Sequence, residues 1–154
     1  MSLCLVLWLG GCGFHLQGPL SLPATMDRTY IRAADTHSVF YWELRRALAA
    51  AGVDVVDAPA DATAEIAVYT DETDQRVLSV SARNVPTEYE VYYTIRYGIT
   101  NAGGTLVPVQ GLTLTRDYTY DPTLVLGKEA EEQLLRERIV QDLVRVVMEQ
   151  AAGH

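Results

Sequence analysis

Cysteine is scarce in this chain of 154 residues, which holds only two, Cys4 and Cys12. Both lie within the first twelve positions, so they cannot cross-link a core, and no cysteine remains elsewhere as a thiol nucleophile or zinc ligand. Basic residues are also few, because 12 Lys and Arg stand against 20 Asp and Glu, for a formal net charge of −8. This balance argues against a nucleic-acid-binding protein, since neutralising phosphates requires clustered Lys and Arg.

Catalytic and metal-binding motifs are equally rare. The three histidines lie far apart along the chain, and neither a G-x-S-x-G motif nor a phosphate-binding glycine loop is present. The acidic segment 71–74 lacks the glycine and the closing glutamate of an EF-hand, so it is interpreted as a solvated kink in a strand. The sequence therefore predicts a protein that is not an enzyme and that holds no metal and no cofactor beyond a covalent lipid.

Long hydrophobic runs are absent too, and the one clear run covers residues 3–9. It is too short to span a bilayer as a helix, and its length is typical of a signal-peptide h-region. The four residues that end at Cys12, LGGC, resemble a bacterial lipobox. We therefore expect cleavage before Cys12 and attachment of acyl chains, palmitate among them, to that residue, with stable membrane anchoring as the result.

The predicted organisation has three parts: a signal peptide at 1–11, a lipidated tether at 12–27 and a single domain at 28–154. Only Met1 and Ser2 precede the apolar run, where signal peptides carry Lys or Arg, so the sequence predicts a start codon assigned too late. The alternative is a hydrophobic N-terminal strand with two buried cysteines. Gly13 follows Cys12, and by resemblance to enterobacterial lipoproteins this favours the outer membrane.

Apolar periodicity in the remaining chain predicts the order β-α-β-β-β-α. A short strand at 29–33 precedes a helix whose apolar stripe runs from Phe40 to Ala51 and which ends at Gly52. Long strands follow at 66–82, 89–99 and 110–120, and a last helix begins near Lys128. The apolar residues of the first of these strands, among them Ile66, Val68, Leu78 and Val80, fall on even positions, which predicts one long strand that is kinked or bulged midway. We therefore expect an α+β two-layer sandwich, in which a four-stranded, mostly antiparallel sheet carries two helices on one face.

Four segments in this order resemble the LPS-assembly lipoprotein LptE family, over nearly the whole predicted mature chain. They are residues 11–16 (GCGFHL), 83–89 (RNVPTEY), 116–121 (RDYTYD) and 124–129 (LVLGKE). The resemblance implies a lipid-anchored protein on the periplasmic side of the outer membrane. It implies further that the protein plugs the lumen of the LptD β-barrel, helps that barrel assemble, and binds lipopolysaccharide on its way to the outer leaflet.

The resemblance also assigns candidate site residues. Family members bind lipopolysaccharide through basic residues in a turn between strands and at the start of the last helix, and Arg83 and Lys128 occupy these places. Guanidinium and ammonium groups suit phosphate recognition. Tyrosines combine an apolar ring with a polar tip, so Tyr92, Tyr118 and Tyr120 are candidates for a partner interface.

Two other functions are left open by the residues themselves. One is a free lipoprotein on the periplasmic side that binds a polysaccharide or peptidoglycan. The other is a carbohydrate-active enzyme, since Glu88 and Glu90 lie on one side of a strand as an acid and base pair would. The charge distribution favours binding of an anionic lipid to the middle of the chain, because residues 76–128 hold five basic and four acidic side chains.

Overall fold

The computed structural model describes residues 21–119 and 125–153, with side chains at 21–119 and 130–153. The predicted signal peptide, Cys12 and most of the predicted tether lie outside the described residues. The elements are β1 (Arg28–Ala33), α1 (Val39–Ala50), β2 (Asp54–Val56), β3 (Ala64–Val80), β4 (Pro86–Asn101), β5 (Gly104–Thr119) and α2 (Val125–Ala152), with short 3-10 turns at Ala24–Met26 and Pro59–Asp61.

The sheet has five strands in the order β2-β1-β3-β4-β5. Strand β1 is parallel to both β2 and β3, whereas β3, β4 and β5 form an antiparallel meander. The predicted α+β class with two helices is confirmed, but the four-stranded, mostly antiparallel sheet is wrong because the sheet is mixed and has a fifth strand. Strand β2 has only three residues, too few to give a period-two pattern in the sequence.

Both helices cover the same face of the sheet, and one continuous core includes residues from both helices and from β1, β3, β4 and β5. Helix α1 begins after Ser38, whose hydroxyl accepts a hydrogen bond from the backbone N–H of Tyr41 at 3.0 Å. This is the capping contact that terminal N–H groups of a helix require. The side chains of α1 that face the core, Phe40, Leu44 and Leu48, are buried. Gly52, with φ +87°, follows its end.

Strand β3 differs from the predicted strand in where its side chains point. Ile66 and Val68 face the core, as expected, but Leu78 and Val80 are exposed although they share the same even parity. Register shifts lie between Val68 and Thr70 and between Val77 and Val80. Each extra residue in a bulge transfers the following side chains to the other face, so the simple alternation fails beyond residue 68.

The other predicted elements are present with shifted ends. Buried side chains alternate along β4 from Val91 to Ile99, which leaves Tyr92 and Arg96 on the face opposite the helices, called here the open face. Strand β5 begins at Gly104 instead of residue 110, and α2 begins at Val125 instead of Lys128.

Candidate functional site

The hairpin that joins β3 to β4 ends in a tight turn at residues 81–85. The backbone N–H of Ser81 donates to the carbonyl of Val85 at 2.8 Å, and that of Asn84 donates to the carbonyl of Ser81 at 2.9 Å. Asn84 adopts a left-handed conformation with φ +60°, which asparagine tolerates better than most residues. These contacts give the turn a defined shape and place Arg83 at its apex.

Arg83 is exposed and its side chain forms no ion pair or hydrogen bond with the described residues. Many other arginines of the described chain are paired: Arg32 with Glu65 at 2.8 Å and Arg116 with Asp142 at 2.6 Å, for example. A guanidinium without a carboxylate partner is available to an anion from solution. The geometry therefore fits the predicted contact of Arg83 with a phosphate, although it does not test it.

Lys128 lies in the first turn of α2, since that helix begins at Val125. Its side chain lies outside the described residues, so its predicted role stays a prediction. The start of α2 can nevertheless be placed relative to the hairpin end. Strand β5 ends at Thr119, which pairs with Glu88 beside the hairpin end, and α2 begins six residues later.

A cleft of about 430 Å³ joins the hairpin to the N-terminal half of α2. Leu78 of β3, Tyr118 of β5 and Leu135 of α2 line it together with Glu131. Glu131 is three residues beyond Lys128, less than one helical turn. The β3–β4 hairpin and the N-terminal half of α2, which carry the two predicted basic residues, therefore border one cleft.

The three predicted interface tyrosines have different outcomes. Tyr92 lies half-buried on the open face, where the Arg76 guanidinium stands 5.8 Å from its ring centroid. Tyr118 is only 6% exposed, stacks on Tyr89 at 5.6 Å and donates a hydrogen bond to Gln75 at 2.9 Å. Tyr118 is thus a core residue, and its burial gives no support to a role in an interface. Tyr120 lies outside the described residues.

The carboxylates considered for catalysis are engaged in structural contacts. Glu88 accepts a hydrogen bond from the Ser79 hydroxyl at 2.8 Å, and Glu90 pairs with Arg76 at 2.5 Å. Neither carboxylate lies in an enclosed site in the described chain: the cleft that Glu88 lines is open to solvent, and Glu90 pairs across strands on the open face. The arrangement gives no support to an acid and base pair.

The segment 71–74 is not simply solvated, contrary to the interpretation from the sequence. Asp71 is half-buried and accepts hydrogen bonds from the Ser38 hydroxyl and from the Tyr93 hydroxyl. It lines a second cleft, of about 620 Å³, between the start of α1 and the middle of α2. Burial and then the hydrogen bond to Asp71 raise the pKa of Tyr93 well above its usual value. Asp71 therefore ties the capping residue of α1 to the sheet.

The described residues contain no cluster of three or more His, Cys, Asp or Glu side chains that could hold a metal ion. Within the same ranges, no helix is both long enough and apolar enough to cross a membrane.

Two features of the surface were missed by the sequence interpretation. Four apolar side chains near the hairpin end are exposed, although two of them, Leu78 and Val80, continue the even-numbered pattern of Ile66 and Val68. On the open face, Arg32 and Arg96 both approach the Tyr69 ring, at 5.2 and 5.4 Å from its centroid. The register shifts between Val68 and Thr70 and between Val77 and Val80 break the alternation of β3, and no local pattern in the sequence fixes their positions.

Comparison with known proteins decides the family. The model of the family "LptE: Lipopolysaccharide-assembly" matches residues 20–151, most of the chain. The chain belongs to the LptE family. The match covers every described strand and helix except the last residue of α2, and it includes the hairpin end and the start of α2.

Relatives of the same family share about a quarter of their residues with this chain. The LPS-assembly lipoprotein LptE of Pectobacterium atrosepticum is 26% identical over 151 residues, which cover 93% of this chain and 80% of that protein. The LPS-assembly lipoprotein LptE of Yersinia enterocolitica is 26% identical over 149 residues, which cover 93% of this chain and 71% of that protein. These relatives are lipoproteins by name, in line with the lipobox at Cys12.

Solved structures have the same fold as this LptE family member. The solution structure of lipoprotein B from Nitrosomonas europaea has a TM-score of 0.76 at 26% identity and covers 92% of this chain and 91% of its own. The crystal structure of the rare lipoprotein B from Shewanella oneidensis has a TM-score of 0.72 at 22% identity and covers 82% of this chain and 94% of its own. The mixed five-stranded sheet with two helices is therefore a fold found in solved lipoproteins.

Proposed function

We propose that this chain is an outer-membrane lipoprotein, anchored on the periplasmic side by lipid on Cys12, that binds lipopolysaccharide and plugs the LptD β-barrel. Membership of the LptE family supports the assembly role. The observation that carries the binding role is Arg83, an exposed guanidinium with no partner among the described residues, at the apex of an ordered turn. Lys128, at the start of α2, is proposed as a second phosphate ligand.

The distribution of charged residues favours binding of an anionic ligand at Arg83. The chain has a net charge of −8, so most of its surface repels lipopolysaccharide phosphates. Between Arg76 and Glu88 the only charged residue is Arg83. A phosphate can approach the hairpin end without passing close to a carboxylate of the turn itself.

The binding site is tested by charge reversal at Arg83. The full chain with Cys12→Ser, which prevents lipidation, should bind lipopolysaccharide, and Arg83→Glu should weaken that binding by roughly tenfold, as loss of one charge-assisted contact implies. Fluorescence or light-scattering titration with purified lipopolysaccharide measures the change. The control is Arg138→Glu, which reverses another exposed arginine on α2 and should bind as the unsubstituted chain does.

Equal weakening by both substitutions would mean that net charge alone matters, and would contradict a site at Arg83. The same comparison with Lys128→Glu tests the second proposed ligand, and unchanged binding in the Arg83→Glu, Lys128→Glu double variant would remove both residues from the site.

The partnership with LptD is tested by co-purification. The lipidated protein, extracted from membranes in mild detergent, should bring down a large outer-membrane β-barrel in a fixed ratio. The Cys12→Ser variant serves as the control for anchoring. Recovery of the lipoprotein without any barrel would contradict the plug and would favour the alternative, a free lipoprotein that binds polysaccharide or peptidoglycan.

A further inference from the structure

Apolar side chains crowd the end of the β3–β4 hairpin, where water would ordinarily favour polar ones. Among the described residues nine large hydrophobic side chains are exposed, and four of these lie within residues 77–85. They are Val77 (47% exposed), Leu78 (45%), Val80 (52%) and Val85 (41%), together called the apolar tip. A concentration of exposed apolar groups on one protrusion marks an interaction surface.

The strand register and the turn place the apolar tip around Arg83. Val80 pairs with Pro86 across the hairpin, and Val85 receives the backbone hydrogen bond from Ser81 that closes the turn. Val80 and Val85 therefore flank the turn whose apex is Arg83. Val77 and Leu78 lie further along β3, where Val77 pairs with Tyr89 of β4 and Leu78 lies at the register shift.

Charge around the apolar tip points to the chemistry of its ligand. Residues 77–87 contain a single charged side chain, and it is the cation Arg83. The carboxylates of Glu88, Asp117 and Glu131 line the cleft that Leu78 shares with α2, so the cation stands at the outer end of the apolar tip and the carboxylates beside Leu78. An apolar surface with a cation at its outer end complements an amphiphile that has an anionic group next to acyl chains. The phosphate pairs with the guanidinium, and the chains remove the valine and leucine side chains from water.

We propose that the apolar tip contacts the acyl chains of lipopolysaccharide while Arg83 pairs with an adjacent phosphate, so that the hairpin end recognises the junction between headgroup and acyl region. This inference rests on the proposed function, because it assumes that lipopolysaccharide is the ligand. It goes further by assigning the acyl contacts to Val77, Leu78, Val80 and Val85.

The test compares intact lipopolysaccharide with lipopolysaccharide from which all acyl chains have been removed chemically. The full chain with Cys12→Ser is titrated with each ligand. The Val80→Ser, Val85→Ser double variant should bind intact lipopolysaccharide roughly tenfold more weakly, from the apolar area that is no longer buried. Its binding to the deacylated ligand should equal that of the unsubstituted chain. Arg83→Glu should weaken the binding of both ligands.

The matched control is Val109→Ser on β5, where a valine of similar exposure, 47%, lies outside the apolar tip. This variant should bind both ligands normally. Because Val80 and Val85 are half-exposed, the double variant should melt within a few degrees of the unsubstituted chain, and circular dichroism checks this.

The possible failures are distinguishable. No binding of intact lipopolysaccharide by the unsubstituted chain contradicts the proposed function itself. Normal binding of intact lipopolysaccharide by the double variant contradicts only the acyl contacts, as does equal weakening with the deacylated ligand. Equal, tip-dependent binding to neutral phosphatidylcholine vesicles that lack lipopolysaccharide would overturn the inference in favour of a membrane-inserting tip.

A second measurement applies even if the double variant is unstable. A polarity-sensitive fluorophore on Val80→Cys, in the chain that also carries Cys4→Ser and Cys12→Ser, should shift its emission to the blue with intact lipopolysaccharide and not with the deacylated form. The same fluorophore on Val109→Cys should show no shift. A shift at both positions, or at neither, contradicts the proposal.

Discussion

At the scale of single residues, Tyr118 shows that residue type alone does not determine whether a side chain is buried. Its apolar ring and polar tip, near the end of a strand, predict a place at a partner interface. In the structure it packs between Tyr89 and the core and donates a hydrogen bond to Gln75. Burial, with a further contribution from the charge of Glu132, raises the pKa of Tyr118 to about 12.

This shift has a consequence for stability at high pH. An unfolded tyrosine ionises near pH 10, whereas folded Tyr118 holds its proton to about pH 12, so its contribution to the free energy of unfolding is complete below about pH 10 and is lost as the pH rises from there to about 12. Tyr118→Phe should be less stable than the unsubstituted chain near neutral pH, by about 1 kcal/mol for the lost hydrogen bond. The difference should shrink between about pH 10 and pH 12. Urea denaturation followed by circular dichroism at several pH values measures it.

Gln75→Ala is the matched control, because it removes the same hydrogen bond but keeps the buried hydroxyl that ionises. The free energy of unfolding of the Gln75→Ala variant should fall above about pH 10, in parallel with that of the unsubstituted chain. If the Tyr118→Phe curve stays parallel to both over the whole range, ionisation of Tyr118 does not contribute and the prediction is wrong.

At the scale of elements, the sequence predicts what short-range periodicity determines. The stripe of α1, the alternation of β4 and the long α2 are all present, because each follows from a local repeat of apolar residues. The pairing of Ser38 with the sheet is not part of such a repeat: Ser38 caps α1 and also donates a hydrogen bond to Asp71 of β3.

Features that depend on pairing between distant segments were not predictable in this way. Strand β2 exists because three residues pair with β1, and neither its length nor its composition marks it. The bulges of β3 are fixed by its register with β4, and near the second bulge Val77, Leu78 and Val80 are all exposed whatever their parity. Arg83 and Lys128 came from family resemblance, whereas the apolar tip required the register.

At the scale of the whole molecule, the residues that stabilise the fold are different from those that we propose bind the ligand. The core includes residues of both helices and of β1, β3, β4 and β5, so the layers cannot bury their apolar faces separately. The hairpin end is outside this core and carries exposed valines and Arg83, which has no ion pair with the residues that the structure describes. Changes at the hairpin end should therefore affect binding without affecting folding.

The continuity of the core also predicts how the protein unfolds. The single domain at 28–154 stays a prediction until its cooperativity is measured. Leu143 of α2 and Ile66 of β3 are both fully buried in the same core. Replacing either one by Ala should lower the free energy of unfolding by about 2 to 5 kcal/mol, from the lost burial and the cavity that remains. Leu134→Ala, at a position that is 56% exposed on α2, should change stability little.

Two probes show whether helices and sheet unfold together. Far-ultraviolet circular dichroism follows mainly the helices, and near-ultraviolet circular dichroism follows the packed tyrosines of β4, Tyr93 and Tyr97. In a single cooperative unit the two urea midpoints coincide, and each core substitution moves both by the same amount. If Leu143→Ala shifts the helix signal and leaves the tyrosine signal in place, α2 is a separate unit. The sheet would then have to remain folded after α2 has unfolded. Its buried side chains Val91, Ile95 and Ile99 argue against this, because they belong to the core that the sheet shares with the helices.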